Sequence, residues 1–308
     1  MGFLQLPTIL FSDISKKDRG TLIWDSAKNQ VFKALQEYGC FEASFDGVSP
    51  DLRESVFASL KQLFDLPLET KVRNVPDKIF NGYIGLAEEV PIYESLGIED
   101  PEIFSNIMWP DGNRQFCDSM QAYTKMLTEV DEIVRMMVLE SLNLEKHMDE
   151  HMELTSSLVR VNKYRMPEKD ESDMGLLSHA DKNVVTILHQ NEVGGLEVQT
   201  KDEEWFKVKF SPNSFVVMAG ESFNAWTNGR IHAATHRVVT SGEKDRFTIG
   251  VFSVPKWEKT IKAPEEMVDE EHPLLFNPFH FGDFLQFLCK KEIVNDKFAL
   301  KKYCGVSV

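Results

Sequence analysis

Leu177-Ser178-His179-Ala180-Asp181, followed at once by the apolar run 184–189, is the stretch on which the reading of this chain turns. A histidine and a carboxylate stand two residues apart, and on an extended strand both side chains leave the same face. Far downstream, Thr235-His236-Arg237-Val238 supplies a second histidine. The gap between the histidines is too long for a zinc finger and is easily closed by a barrel. Two histidines and one carboxylate form a facial triad, a donor set that suits non-haem Fe(II) because it leaves coordination positions open. Beyond His236, in Asp245-Arg246-Phe247-Thr248, comes an arginine able to grip a carboxylate through two parallel hydrogen bonds. An H-x-D alone is more often an ordinary surface or core pair. The order and spacing of H-x-D, H-R-V and R-x-T among β-rich segments make the metal reading.

Those segments begin near residue 156. The stretches 158–164, 184–189, 195–198, 205–208, 214–218 and 246–254 are rich in Val, Ile, Phe and Thr and are separated by turn signals, the pattern of an all-β sandwich or barrel. A double-sheet jelly roll gathers such positions in its open mouth. Upstream, residues 26–38 have helical spacing and stop at Gly39; Asp51 reads as the cap of a second helix that Pro67 ends. A long seam from Met120 to Ser141 predicts the longest helix, packed on the core. Residues 7–11 read as an edge strand, 41–45 as a further strand, and 72–112 as irregular. The fold expected is α+β, with a double-stranded β-helix (jelly-roll) core flanked by helices. Residues 1–150 form a helix-rich region packing on the barrel; 151–308 form the jelly-roll core with a helical tail.

A chain of 308 residues can bury a sizeable core. The formal net charge of −15 argues against nucleic acid and anionic membrane surfaces as partners. Cys40, Cys117, Cys289 and Cys304 are scattered, with no C-x-x-C pair, and read as reduced thiols of a cytoplasmic protein. Met1-Gly2 opens like a myristoylation site, but Leu6 stands where Ser or Thr is needed. The N-terminal stretch has no secretory or transit signal, and no apolar run approaches a membrane span. The expected partner is a small molecule, and the expected state a monomer.

With these motifs in place, the chain resembles the plant 2-oxoglutarate- and Fe(II)-dependent dioxygenases over almost its full length. Residues 38–48 resemble the family's early "GFF…NHGV" segment, Phe64-Asp65-Leu66-Pro67-Leu68-Glu69-Thr70-Lys71 its "F-x-L-P-x-E-x-K", and Asn162-Lys163-Tyr164 its "N-Y-Y-P" strand. Within the family, the chain is most similar to the AOP-like branch, related to alkenyl- and hydroxyalkyl-producing enzymes of glucosinolate metabolism. His179-Ala180-Asp181-Lys182-Asn183, Trp109-Pro110-Asp111-Gly112, Asn228-Gly229-Arg230-Ile231 and Tyr303-Cys304-Gly305-Val306-Ser307 carry that similarity.

The resemblance implies that His179, Asp181 and His236 bind Fe(II). It implies that Arg246 and Thr248 hold the distal carboxylate of 2-oxoglutarate, with Tyr164 adding a hydroxyl and Asn162 supporting the site from the same strand face. Phe252 would line the substrate pocket. The implied activity consumes O2 and 2-oxoglutarate, releases succinate and CO2, and oxidises a small specialised metabolite or hormone, with hydroxylation as the default. Two positions depart from the family pattern. Ala180 replaces the usual threonine of H-T-D, and Thr248 replaces the serine of R-x-S while keeping its hydroxyl. Asp181 argues against a halogenase, which needs a small residue there. A non-catalytic metabolite-binding protein on the same barrel, or a zinc or manganese lyase or isomerase, are the competing classes. Trp226 and Phe223 read equally as core packing or as substrate stacking.

Overall fold

The computed structural model describes residues 5–75, 78–85, 87–209, 211, 213–240, 244–290, 292–293 and 296–306. The Met1-Gly2 opening and the Ser307 of the C-terminal motif lie outside the described residues. The chain begins with strand β1 (Thr8–Leu10), helix α1 (Leu22–Glu37) and strand β2 (Cys40–Ser44). The Thr21 hydroxyl accepts from the Trp24 amide, so α1 starts a turn earlier than its hydrophobic spacing predicts. Gly39, at φ +70°, ends it in the left-handed region.

Helix α2 (Pro50–Phe64) is capped by Ser49, whose hydroxyl accepts from the Leu52 amide at 3.2 Å. Asp51, expected to be the cap, lies in the first turn instead, because Pro50 already occupies the position that needs no amide donor. The helix stops at Phe64, ahead of Pro67, which begins the short α3 (Leu68–Lys71).

The stretch 72–112, expected to be irregular, holds β3 (Tyr83–Gly85), β4 (Tyr93–Ile98) and α4 (Pro101–Met108). Strand β4 is covered on both faces, so it shows no apolar alternation to read; α4 is too short for its period to register. Next come α5 (Arg114–Ser141), α6 (Met148–Glu153), β5 (Thr155–Tyr164), β6 (Met174–His179), β7 (Val185–Gln190), β8 (Leu196–Gln199), β9 (Trp205–Lys207) and β10 (Ser214–Ala219). The remaining elements are α7 (Glu221–Trp226), β11 (His236–Val239), β12 (Arg246–Pro255), two two-residue strands, α8 (Phe281–Leu288) and α9 (Ala299–Cys304).

Among the described residues, one eight-stranded sheet runs β1-β2-β10-β7-β12-β5-β4-β3, and a four-stranded sheet runs β6-β11-β8-β9. Strands from the first hundred residues therefore extend the main sheet on both sides of the barrel strands. Alternation assigns the main sheet's two faces. Val159, Val161, Ile187, Phe215, Val217, Ile249 and Val251 point to the helices and join one core with Val31, Leu60, Tyr123, Val134 and Met137. Burying each such aliphatic chain contributes about 1.5–3 kcal/mol. The methionine and leucine seam of α5 is packing, as its spacing predicts. On the opposite face, Leu188, Val216 and Met218 meet Leu196 and Val198 of the smaller sheet, and Tyr93 and Tyr164 meet Val238. The layers are thus helices, main sheet and small sheet, the arrangement of a helix-flanked jelly roll.

Gly39, between α1 and β2, packs against the loop that leads into β11. A Cβ there would lie 2.5 Å from the His232 carbonyl oxygen and 2.8 Å from the Ala234 nitrogen. Gly39→Ala is expected to lower unfolding free energy by at least about 2 kcal/mol, from left-handed strain plus a backbone clash. Chemical denaturation measures this, and a wild-type midpoint contradicts it.

Candidate metal centre and co-substrate pocket

The two sheets face each other across the site, and each sequence motif reaches it by a different route. His179 is the last residue of β6, and Asp181 lies just past the strand end. The expectation that both leave one strand face is corrected here: the chain turns between them, so the carboxylate is set by the loop and not by the pleat. His236 opens β11 and pairs directly with His179 across the ladder. The histidine rings are 4.3 Å apart between centroids, and ligand atoms of His179, Asp181 and His236 lie within 4.8 Å of one another.

Backbone and side-chain partners orient each donor. His179 Nδ1 lies 2.8 Å from the Leu177 carbonyl oxygen, and His236 Nδ1 lies 3.0 Å from that of Ala234. A proton on each Nδ1 leaves each Nε2 lone pair free for a metal. Both Nε2 atoms face Asp181 Oδ1, at 3.6 and 3.9 Å. The other carboxylate oxygen, Oδ2, accepts a 2.5 Å hydrogen bond from the Thr186 hydroxyl on β7. Burial works to raise the Asp181 pKa, but His236, His179 and Thr186 override it and hold the carboxyl far below its usual range. Burial, then the neighbouring His179, push the pKa of His236 down to about 4, so its imidazole is neutral at pH 7. An ionised Asp181 carboxylate beside a neutral His236 imidazole is the protonation state that metal ligation needs.

The loop carrying Asp181 is clamped from below by the start of α7. The Glu221 amide donates to the Asp181 carbonyl at 2.7 Å, and the Ser222 hydroxyl to that of Lys182 at 2.5 Å. Lys182 also pairs with Glu221 at 2.9 Å. Gly220 permits this contact, since a Cβ on it would sit 2.2 Å from the Asn183 carbonyl oxygen.

The second half of the site is a row of side chains on the inner face of the main sheet. Arg246 pairs with Tyr164, and Thr248 pairs with Asn162 on one side and Gln190 on the other. Arg246 is wholly buried. Gln190 Oε1 accepts from its Nε at 3.2 Å and from its Nη2 at 2.8 Å, while Nη1 has no hydrogen-bond partner. The Tyr164 ring lies 5.0 Å from the guanidinium. Burial pulls the Arg246 pKa below its ordinary value, with Tyr164 opposing.

A directed relay holds Thr248. The Tyr93 hydroxyl donates to Asn162 Oδ1 at 3.1 Å, and Asn162 Nδ2 donates to Thr248 Oγ1 at 2.8 Å. The Thr248 hydroxyl accepts there, so its own proton is available on the strand face that also carries Arg246. Asn162, with both ends of its amide engaged, supports Thr248. Phe252 shares the face of Arg246 and Thr248, pairs with Thr186, and folds its ring over Gly250.

Not every aromatic belongs here. Phe223 and Trp226 are buried against His151, at 5.4 and 4.4 Å between centroids, within the helix-side core. A cleft of about 590 Å³ lined by Arg53, Phe57 and Phe247 opens on the other side of the main sheet, since Phe247 points away from the Arg246 face. Thr186, Gln190 and Tyr93 escaped the sequence reading. The first two sit in the run 184–189 and just after it, and their polarity at alternate positions of an apolar strand was the available signal.

The donor set and the buried, half-paired arginine fit a divalent iron and a dicarboxylate. Comparison with known proteins agrees. Residues 155–255 match the 2OG-Fe(II) oxygenase superfamily model, and residues 6–94 match the model described as non-haem dioxygenase in morphine synthesis N-terminal. Arabidopsis thaliana AOP1, described as a probable 2-oxoglutarate-dependent dioxygenase, is 47% identical over 294 residues, covering 92% of this chain and 96% of that protein. The chain belongs to the 2-oxoglutarate- and Fe(II)-dependent oxygenases. Among solved structures, the rice dioxygenase for auxin oxidation superposes with a TM-score of 0.80 at 28% identity, covering 98% of this chain and all of that one. The Arabidopsis thaliana counterpart in complex with 2-oxoglutarate gives 0.78 at 27% identity, covering 87% of this chain and 100% of that one. The oxygenase is accordingly an oxidoreductase that uses Fe(II) and 2-oxoglutarate. Among its described residues no helix is long and apolar enough to cross a membrane.

Thr186→Val keeps the shape of the strand but deletes the hydroxyl on Asp181. Fe(II) affinity should fall about 10- to 100-fold, as for other outer partners of metal ligands. Competition with a chromogenic chelator measures it; unchanged affinity contradicts the role given to Thr186.

Proposed function

We propose that His179, Asp181 and His236 hold Fe(II), and that Arg246 and Thr248 anchor the far carboxylate of 2-oxoglutarate beside it. The observation that carries this reading is the wholly buried Arg246 with an unpartnered Nη1, two residues along the strand from a hydroxyl whose proton is free. An uncompensated buried cation is costly unless a ligand anion completes it. Tyr164 packs on the guanidinium and fixes its plane, and Asn162 keeps the Thr248 hydroxyl turned to the ligand. Phe252, beside Thr186, forms part of the apolar wall for the substrate.

Iron and 2-oxoglutarate supply the oxidising chemistry: O2 is consumed, CO2 and succinate leave, and one oxygen atom goes to the organic substrate. The chain's own residues bind and orient. Leu177 and Ala234 carbonyls present the histidine Nε2 atoms, and Thr186 holds the carboxylate. The substrate we infer is a small plant metabolite or hormone, and the outcome hydroxylation. The auxin-oxidising structures support a substrate of that size.

We read residues 1–150 as a helix-rich region packed on the barrel, and 151–308 as the oxygenase core with its helical tail. Free Cys40, Cys117, Cys289 and Cys304 support a reducing, cytoplasmic setting, and we take the working unit to be a monomer.

Succinate release with Fe(II), 2-oxoglutarate and air tests the reading. His236→Ala should abolish it. Arg246→Gln should raise the Kd for 2-oxoglutarate by on the order of a hundredfold, since it removes one partner of a buried charge pair. Succinate release by His236→Ala at the wild-type rate, or 2-oxoglutarate affinity indifferent to Arg246, contradicts the proposal.

A further inference from the structure

The inner face of the main sheet carries a second arginine that the reading above leaves without work. Arg160 lies on β5, two residues before Asn162 and on the same face as Asn162 and Tyr164. Its cross-strand neighbours are glycines on both sides, Gly250 of β12 and Gly97 of β4. No side chain therefore flanks it in its own row. The Phe252 ring folds over Gly250, and the Asn81 backbone covers Gly97, so these form the walls. The Arg160 Nη1 donates to the fully buried Ser95 hydroxyl at 2.7 Å. Its Nη2 is shielded from solvent and has no hydrogen-bond partner. Among the described residues, Arg160 makes no ion pair. Burial lowers its pKa; Tyr93, through charge and a side-chain hydrogen bond, then Tyr164 and Asp181 oppose that.

Two half-paired guanidinium groups thus stand on one wall, with Tyr164 near both. 2-Oxoglutarate has two carboxylates. On the proposed function, Arg246 takes the distal one and the metal end takes the other, so Arg160 is surplus to the co-substrate. A half-buried cation held by neutral hydroxyls, with one shielded nitrogen unpaired and no counter-ion, invites an anion from elsewhere. A planar carboxylate matches the fork of its free donor edge.

We propose that Arg160 is a specificity-determining residue: it receives a carboxylate of the organic substrate, with Phe252 covering the adjoining apolar part, so the oxygenase acts on small carboxylic acids. The inference rests on the reading of the triad and Arg246 as the Fe(II) and 2-oxoglutarate site. At a net charge of −15, the protein as a whole repels such acids, so a local cation is needed to receive one.

The test uses the intact chain with Fe(II) and 2-oxoglutarate, and a probe panel of matched pairs: aryl-acetic, aryl-propionic and cinnamic acids, each beside its primary amide. Binding of each probe under anaerobic conditions and stimulation of succinate release in air are both read. At least one acid should bind wild type on the order of thirtyfold or more tightly than its amide, the size expected for a buried charge pair. Arg160→Gln should erase that preference, and Arg160→Lys should restore part of it, because a point charge attracts a carboxylate without the two-pronged fit. The Kd for 2-oxoglutarate should stay within about twofold in both variants, which also reports that they fold. The proposal is overturned if no acid outperforms its amide, if the preference survives Arg160→Gln, or if Arg160→Gln weakens 2-oxoglutarate as Arg246→Gln does. Wild type failing to bind 2-oxoglutarate is a separate result, and it sinks the proposed function instead.

Discussion

The register of β12 between β5 and β7 is the constraint on which the rest depends. One strand sends Ile249 and Val251 into the helix-side core and Arg246, Thr248 and Phe252 into the space between the sheets. A slip of one residue would exchange the sets, burying a cation among aliphatic chains and turning the aliphatic chains to the site. Hydrophobic burial on one face therefore enforces the polar arrangement on the other. Tyr164 opposite Arg246, and Asn162 and Gln190 flanking Thr248, are consequences of that register.

The small sheet completes the site from the other side. Pairing of β11 with β6 puts His236 opposite His179, and the clamp between the Asp181 loop and α7 brings in the carboxylate. None of the three donors relies on a flexible contact: two are held by backbone carbonyls and one by a hydroxyl on the main sheet. Such preorganisation costs stability, because it gathers ionisable groups away from water before any ligand arrives. The extensive helix-side core offsets that cost.

Much of this was legible in the sequence. The strands of the second half announce themselves by β-branched content and turns, and H-x-D, H-R-V and R-x-T fall at strand ends as a barrel mouth requires. The long α5 seam reads directly from its spacing. What escaped had physical causes. Strand β4 is buried on both faces and carries no alternation, so 72–112 looked irregular. Asp181 lies past the strand end, where period-two reasoning no longer applies. Asp51 fits the cap pattern, but Pro50 starts the helix and moves the cap back to Ser49. Gln190, Tyr93 and Arg160 become visible only through cross-strand register, which links residues distant in sequence. Their importance arises from partners, not from local pattern.

The most direct measurement is an anaerobic titration of the protein with Fe(II) and 2-oxoglutarate, followed by the visible charge-transfer absorption of the ternary complex. The account predicts one iron and one 2-oxoglutarate per chain, with the band appearing only when both are present and vanishing in Asp181→Ala. A chain that binds 2-oxoglutarate equally well with and without metal, or that develops the band without Asp181, contradicts the site described here.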